Sequence, residues 1–244
     1  MTTPCVLVLA GLDPSGVAGL LADAEAVRAM GAAPLCVATS LTVQTTRSAR
    51  RFVPVDPALV AESAEALLEE EDVRAIKIGM VGNRAVASAI ALLLQSRPRL
   101  PLVVDPVLAA SSGAKLFEGS TSDARDAYIR LAAGAVLTPN APEAGALLGS
   151  KLDDPMRAAA LLGEGAGAVL LKGGHLPGDP SDFLFQRDGV ERFSAPRIAA
   201  VARGTGCRLA SAIAAGLARG LPLRDAVLKA RQLVREYLQA HLSV

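Results

Sequence analysis

The chain has 244 residues, of which 51% are hydrophobic and 3% aromatic, with no Trp. Such a length suits one α/β domain over residues 1–244, with a core of Ala, Leu, Val and Gly that calls for helices packed closely on a sheet. Lys and Arg total 25 against 24 Asp and Glu, so no basic excess is available to neutralise a nucleic-acid backbone.

The cluster Arg47, Arg50 and Arg51 is expected to be a solvated loop face. Cys5, Cys36 and Cys207 show neither a disulfide framework nor zinc spacing, which points to a reducing, cytoplasmic home. Cys5 and Cys36 are expected as small buried hydrophobes. No apolar run reaches the ~18 residues of a membrane span, and the first residues lack the basic start of a signal peptide.

Residues 5–10 form a continuous apolar run, the mark of a parallel strand covered on both faces. A helix-period segment follows over 17–30, then a strand at 33–40 and a polar loop at 44–51. The alternation continues with helix 57–70, strand 73–78, helix 83–95, strand 102–105, helix 122–132 and strand 135–137. Two short helices are expected at 141–148 and 154–162, and a strand at 168–171. Segments 182–187 and 191–195 flank Asp188-Gly189, a hairpin signal. Helices over 205–219 and 222–241 end the chain. This order predicts a three-layer α/β/α domain: a mostly parallel central sheet with a late antiparallel edge hairpin.

Ligands of open α/β sheets bind beyond the carboxyl ends of the strands. Asp13, Gln44, Lys77 with Met80, Asp105, Asn140 with Glu143, and Lys172 all fall there. Gly204-Thr205-Gly206-Cys207 opens an apolar helix. Its glycines let backbone N–H groups turn inward, and the helix start adds a positive dipole end, so the segment reads as an anion hole. A plain N-cap by Thr205 is the alternative. Cys207 in the first helical turn is expected to have a lowered thiol pKa and to take a proton from an attacking hydroxyl. Asn140 and Glu143 read both as a capping box and as groups facing the cleft, where Glu143 can hold Mg²⁺ through water. Asp105-Pro106 suits a metal–phosphate contact, and Lys172 can neutralise phosphates. His175 is assigned a hydrogen-bonding loop role.

Two nucleotide motifs are excluded. Residues 163–168 match G-x-G-x-x-A but follow a helix and precede a strand, the reverse of a dinucleotide site. No Walker P-loop occurs.

In order along the chain, AGLDPSGVAG (10–19), LTVQTT (41–46), KIGMVG (77–82), VVDPVLAASSG (103–113), LTPNAPEAGALLG (137–149), LLKGGH (170–175) and GTGC (204–207) resemble the hydroxymethylpyrimidine and phosphomethylpyrimidine kinases of thiamine biosynthesis. The resemblance implies a ribokinase-like fold and ATP- and Mg²⁺-dependent phosphorylation of 4-amino-5-hydroxymethyl-2-methylpyrimidine, then of its monophosphate. It implies that Gly11, Ala18, Gln44, Met80 and Val107 surround the pyrimidine. Asp105 and Glu143 would serve Mg²⁺ and phosphates, Asn140 and Lys172 the nucleotide, and Gly204 to Cys207 the transferring phosphoryl group. A homodimer through a sheet edge or hairpin is a further expectation.

The chain departs from the family's usual residues at Val17, Thr46, Ser111, Arg203 and Arg208. The family often has Lys at 111, and Arg203 or Arg208 is a candidate replacement for that charge. A pyridoxine or pyridoxal kinase, and a non-catalytic pyrimidine-binding relative, are the competing readings.

Overall fold

The computed structural model describes residues 3–95, 100–110, 113–175, 180–200 and 202–242. The apolar run at the start forms β1 (Cys5–Leu12). Its side chains explain its composition: Leu7 and Leu9 enter one core, whereas Val6, Val8 and Ala10 enter another on the opposite face. A strand covered on both faces has no polar side.

The other strands are β2 (Ala33–Gln44), β3 (Ala49–Pro54), β4 (Val73–Ile78), β5 (Leu102–Val104), β6 (Val136–Leu137), β7 (Ala168–Leu171), β8 (Ser181–Gln186) and β9 (Gly189–Ser194). All join one sheet in the order β3-β2-β1-β4-β5-β6-β7-β8-β9. The run from β2 to β7 is parallel, while β3 closes one edge antiparallel and the expected hairpin β8–β9 closes the other.

One face is covered by α1 (Gly19–Ala29), α7 (Thr205–Ala218) and α8 (Leu223–Ala240). The other is covered by α2 (Pro57–Glu70), α3 (Arg84–Gln95), α4 (Thr121–Leu131), α5 (Ala141–Leu148) and α6 (Ala160–Gly163). The low aromatic content is visible in α7, where every residue from Arg208 to Gly216 is buried. A Cβ on Gly216 would stand 2.8 Å from the Ala226 Cβ, so α7 and α8 meet nearly backbone to backbone.

Three expectations are corrected. The polar loop at 44–51 is the turn and start of a β-ribbon: β2 runs to Gln44, and Arg50 and Arg51 are exposed strand residues of β3. An edge ribbon keeps one face in water, so its sequence reads as polar. The helix at 154–162 is a 3-10 turn, Pro155–Ala159, capped by Asp154 and followed by the single turn α6. Cys36 is exposed rather than buried, because the first four residues of β2 are only partly covered.

A charged tie crosses the helix–sheet boundary beneath the cleft. Lys77 of β4 and Asp23 of α1 are both fully buried and pair at 2.7 Å. The Ser211 hydroxyl of α7 donates to the other Asp23 oxygen at 2.8 Å. Burial works against the Lys77 charge, but Asp23 prevails and holds the ammonium protonated. Removing one partner of such a pair leaves a bare buried charge. Asp23→Ala is therefore expected to cost about 3–5 kcal/mol in urea unfolding. A loss below about 1 kcal/mol would show that the pair does not hold α1 to the sheet.

Candidate active site

The carboxyl ends of the parallel strands open onto a cavity of about 720 Å³. Every site residue expected from sequence lines it: Gly11, Ala18, Gln44, Met80, Asp105, Val107, Asn140, Glu143, Lys172 and the segment Gly204 to Cys207.

At its centre stands a cluster of three charges. The chain leaves β5 at Asp105 and β7 at Lys172, and the Lys172 Nζ lies 2.6 Å from Asp105 Oδ1 and 3.5 Å from Glu143 Oε2. Glu143 is fixed by the capping box of α5: its carboxylate accepts from the Asn140 backbone N–H at 2.7 Å, while Asn140 Oδ1 accepts from the Glu143 N–H at 2.9 Å. The pair forms the expected capping box, and both residues also line the cavity. Burial opposes the Lys172 charge, but Asp105 and Glu143 outweigh it and raise its pKa. Burial lifts the Glu143 carboxyl above the usual range, and Lys172 offsets part of that rise.

Facing this cluster is the start of α7. The N-cap is Gly204, at φ 73°, and no side chain caps the helix, so Thr205 is the first helical residue rather than the cap. A Cβ on Gly204 would run into the Val17 carbonyl oxygen and stand 2.8 Å from Arg208 Nη1. The first intrahelical bond is Arg208 N–H to the Gly204 carbonyl, at 3.0 Å. The N–H groups of residues 205–207 therefore have no acceptor within the helix, at its positive end. A Cβ on Gly206 would lie 3.2 Å from Lys172 Nζ and 3.9 Å from Asp105 Oδ2. The start of α7 and the Lys172 ammonium thus face each other across a narrow gap, which the absence of a side chain on Gly206 keeps open.

Cys207 behaves contrary to expectation. Burial, and then the Asp23 carboxylate, push its thiol up to about 11, against the opposing pull of Lys77. Cys207 is therefore a neutral thiol at neutral pH.

The other wall carries Gln44, whose amide Nε2 donates to Asp13 Oδ2 at 2.7 Å. Asp13 Oδ1 in turn accepts from the Ser15 N–H and hydroxyl at 2.9 and 2.7 Å. This fixes the amide so that its oxygen and second N–H remain for a ligand. Met80 is drawn close to Gly11, where a Cβ would stand 2.7 Å from the Met80 Sδ. Tyr128, wholly buried, reaches the Gly79 and Val107 carbonyls at 3.1 Å each and steadies this wall from behind.

Sequence reasoning missed the far end. There Pro196, Ile198, Val234 and Leu238 form an apolar pocket beside Asp182, which pairs with Arg231 at 2.7 Å. Only the tertiary fold brings the end of β9 against α8, so no local motif marks these residues.

The two arginines flanking the anion hole behave differently. Arg208 does not supply charge to the cavity: it donates to the Val17 carbonyl at 2.9 Å, pairs with Glu25 at 2.6 Å and stacks 3.9 Å over the Tyr237 ring. Arg203 lines the cavity and donates from Nη1 to the Thr45 and Thr46 carbonyls, each at 3.0 Å. Ser111 and the His175 side chain lie outside the described residues.

The family model described as phosphomethylpyrimidine kinase matches residues 13–244. The chain belongs to the phosphomethylpyrimidine kinase family.

A member, the hydroxymethylpyrimidine/phosphomethylpyrimidine kinase of Rhizobium meliloti, is 40% identical over 99% of this chain and 91% of its own length. The thiamine biosynthesis bifunctional protein ThiED of Geobacter sulfurreducens is 42% identical over 94% of this chain, which spans only 48% of that protein. A crystal structure of phosphomethylpyrimidine kinase from Clostridium difficile superposes with a TM-score of 0.82 at 31% identity, covering 97% of this chain and 99% of that one. The Staphylococcus aureus pyridoxal kinase, solved with AMP-PCP and pyridoxal, has a TM-score of 0.86 at 26% identity, covering 98% of this chain and 88% of that one. As a family member with this three-layer ribokinase-like fold, the chain is an ATP-dependent small-molecule kinase.

The state of Cys207 is open to direct test. Alkylation by iodoacetamide is expected to be slower than for free cysteine at pH 7.5 and to rise about tenfold per pH unit toward pH 11. A rate already flat near pH 7 would mean a resting thiolate.

Proposed function

We propose that this chain, acting as a single domain over residues 1–244, transfers the γ-phosphoryl group of ATP to the hydroxymethyl oxygen of 4-amino-5-hydroxymethyl-2-methylpyrimidine, and then phosphorylates the monophosphate. The observation that carries this reading is the placement of Gln44 and of the Gly204–Cys207 anion hole in one cavity, with Lys172 and Asp105 facing the hole. The fixed Gln44 amide offers a donor and an acceptor that match an aminopyrimidine edge. Gly11 and Ala18 leave room for a flat ring, while Met80 and Val107 supply soft and apolar contacts.

In this mechanism the chain positions reactants and stabilises charge, which suits the loose transition state of phosphoryl transfer. The exposed N–H groups at the start of α7 hold the transferring phosphoryl oxygens. Lys172, now held by two carboxylates, shifts its hydrogen bonds toward the nucleotide phosphates. Asn140 and the apolar pocket under α8 receive the nucleotide. In its thiolate form, Cys207 accepts a hydrogen bond from the substrate hydroxyl and takes its proton as the new O–P bond forms. A neutral resting thiol limits that step at low pH, so activity is expected to rise with pH.

Among the described residues no group of three or more His, Cys, Asp or Glu forms a metal cage. Two carboxylates beside the phosphate path instead fit Mg²⁺, which keeps most of its water and is held largely by phosphates. Asp105 and Glu143 would hold it, and it would supply charge neutralisation to the β- and γ-phosphates.

Assembly as a homodimer through the β2–β3 ribbon is part of the proposal. Leu41, Val43 and Val53 are each about half exposed there, and Leu41 sits directly opposite Val53. Three free cysteines suit a reducing, cytoplasmic setting. No described helix is long and apolar enough to cross a membrane.

Steady-state ATP consumption with the hydroxymethylpyrimidine and with pyridoxal separates this reading from its nearest rival. Turnover of pyridoxal without turnover of the pyrimidine would reverse the assignment. Gln44→Ala is expected to weaken pyrimidine binding about 10- to 100-fold with little change in the KM for ATP. Unaltered pyrimidine affinity would remove Gln44 from the pocket. Cys207→Ala should lower kcat with little change in substrate affinity, and an unchanged kcat would exclude Cys207 from the chemistry.

A further inference from the structure

Among the described residues, six cationic side chains line the cavity, and three of them are neutralised by carboxylates. Lys77 is paired with Asp23, Arg231 with Asp182, and Lys172 with Asp105 and Glu143. Arg197 and Arg235 donate to the Gly174 and Pro196 carbonyls, whereas Arg203 reaches the turn after Gln44. It has no carboxylate partner among the described residues. Its Nη1 holds two backbone carbonyls in the turn that follows Gln44, so the rest of its fork, Nε and Nη2, is left without a protein acceptor among those residues. The Tyr237 hydroxyl fixes its backbone by donating to the Arg203 carbonyl at 3.1 Å. Arg203 immediately precedes the anion hole and lines the cavity together with Gln44. It stands where the substrate wall and the phosphoryl site meet.

We infer that Arg203 binds the phosphate of a substrate that is already a monophosphate, and so sets the preference of this enzyme for the second phosphorylation. This rests on the pyrimidine-kinase reading above. In that step an oxygen of the substrate phosphate attacks the γ-phosphorus of ATP. One O–P bond forms, the bond from the γ-phosphorus to the β–γ bridging oxygen breaks, and ADP leaves with that electron pair. A phosphate monoester has its second pKa near 6, so above that pH the attacking oxygen carries no proton. The second step therefore has no need of a base, and the high thiol pKa of Cys207 does not slow it. It does need a cation to bring two anions together. A guanidinium with a free fork meets that need, because Arg binds phosphate bidentately. The arginine at 208 cannot serve, being held by Val17, Glu25 and Tyr237.

The test compares kcat/KM for the hydroxymethylpyrimidine and for its monophosphate in wild-type, Arg203→Gln and Arg203→Lys enzymes, with calorimetric binding of the monophosphate in the absence of ATP. Arg203→Gln is expected to lower the monophosphate-to-alcohol ratio of kcat/KM about 10- to 100-fold, with a parallel loss of monophosphate affinity. Arg203→Lys, which keeps the charge, is expected to restore part of that ratio. Equal losses on both substrates would show that Arg203 only steadies the turn after Gln44, and would overturn the inference. So would wild-type enzyme that turns over the alcohol but not the monophosphate. Wild-type enzyme that turns over neither pyrimidine would instead overturn the functional reading on which the inference stands.

Discussion

The rest of the site depends on how one lysine is held. Lys172 leaves the end of β7 into a space where burial opposes its charge, and two carboxylates, one just beyond β5 and one in the first turn of α5, keep it protonated. Neither carboxylate is free to wander. Asp105 follows β5 directly, and Glu143 is fixed by the capping box at the head of α5. The cluster is therefore held in place by the chain on every side. Preorganisation of this kind is what phosphoryl transfer demands of a protein.

The parallel sheet makes that convergence possible. Strands of one direction bring their carboxyl ends to one mouth, and the helix returning from each supplies an N-terminus at the same level. Gly204 permits the sharp entry to α7, and Gly206 leaves the gap toward Lys172 unfilled. Below the mouth, Asp23, Lys77 and Ser211 bind α1, β4 and α7 together. The same helix α7 thus lines the cavity with its first turn and supplies a buried tie to the sheet one turn later.

Much of this was legible in the amino-acid order, for physical reasons. Central strands such as β1 and β7 are apolar on both faces, and the capping box of α5 is local, so each announces itself. Edge and tertiary features do not. Strand β3 reads as a loop because Arg50 and Arg51 face water. Asp23 looks like any acid on an Ala-rich helix until the fold places Lys77 against it. Arg208 looks like a phosphate ligand until Glu25, Val17 and Tyr237 claim its fork, and the last of these lies on the C-terminal helix. The thiol of Cys207 follows the same rule: the helix start favours a thiolate, but burial and the distant Asp23 carboxylate decide its state. The apolar pocket beneath α8 has no motif at all.

The most direct measurement is a crystal structure of the protein with the hydroxymethylpyrimidine and a non-hydrolysable ATP analogue. The expected result has the pyrimidine against Gln44 and the γ-phosphate within hydrogen-bond reach of the Gly206 and Cys207 N–H groups, with Lys172 turned from Asp105 toward the phosphates. A γ-phosphate bound away from the start of α7, with Lys172 still closed on Asp105, would contradict it.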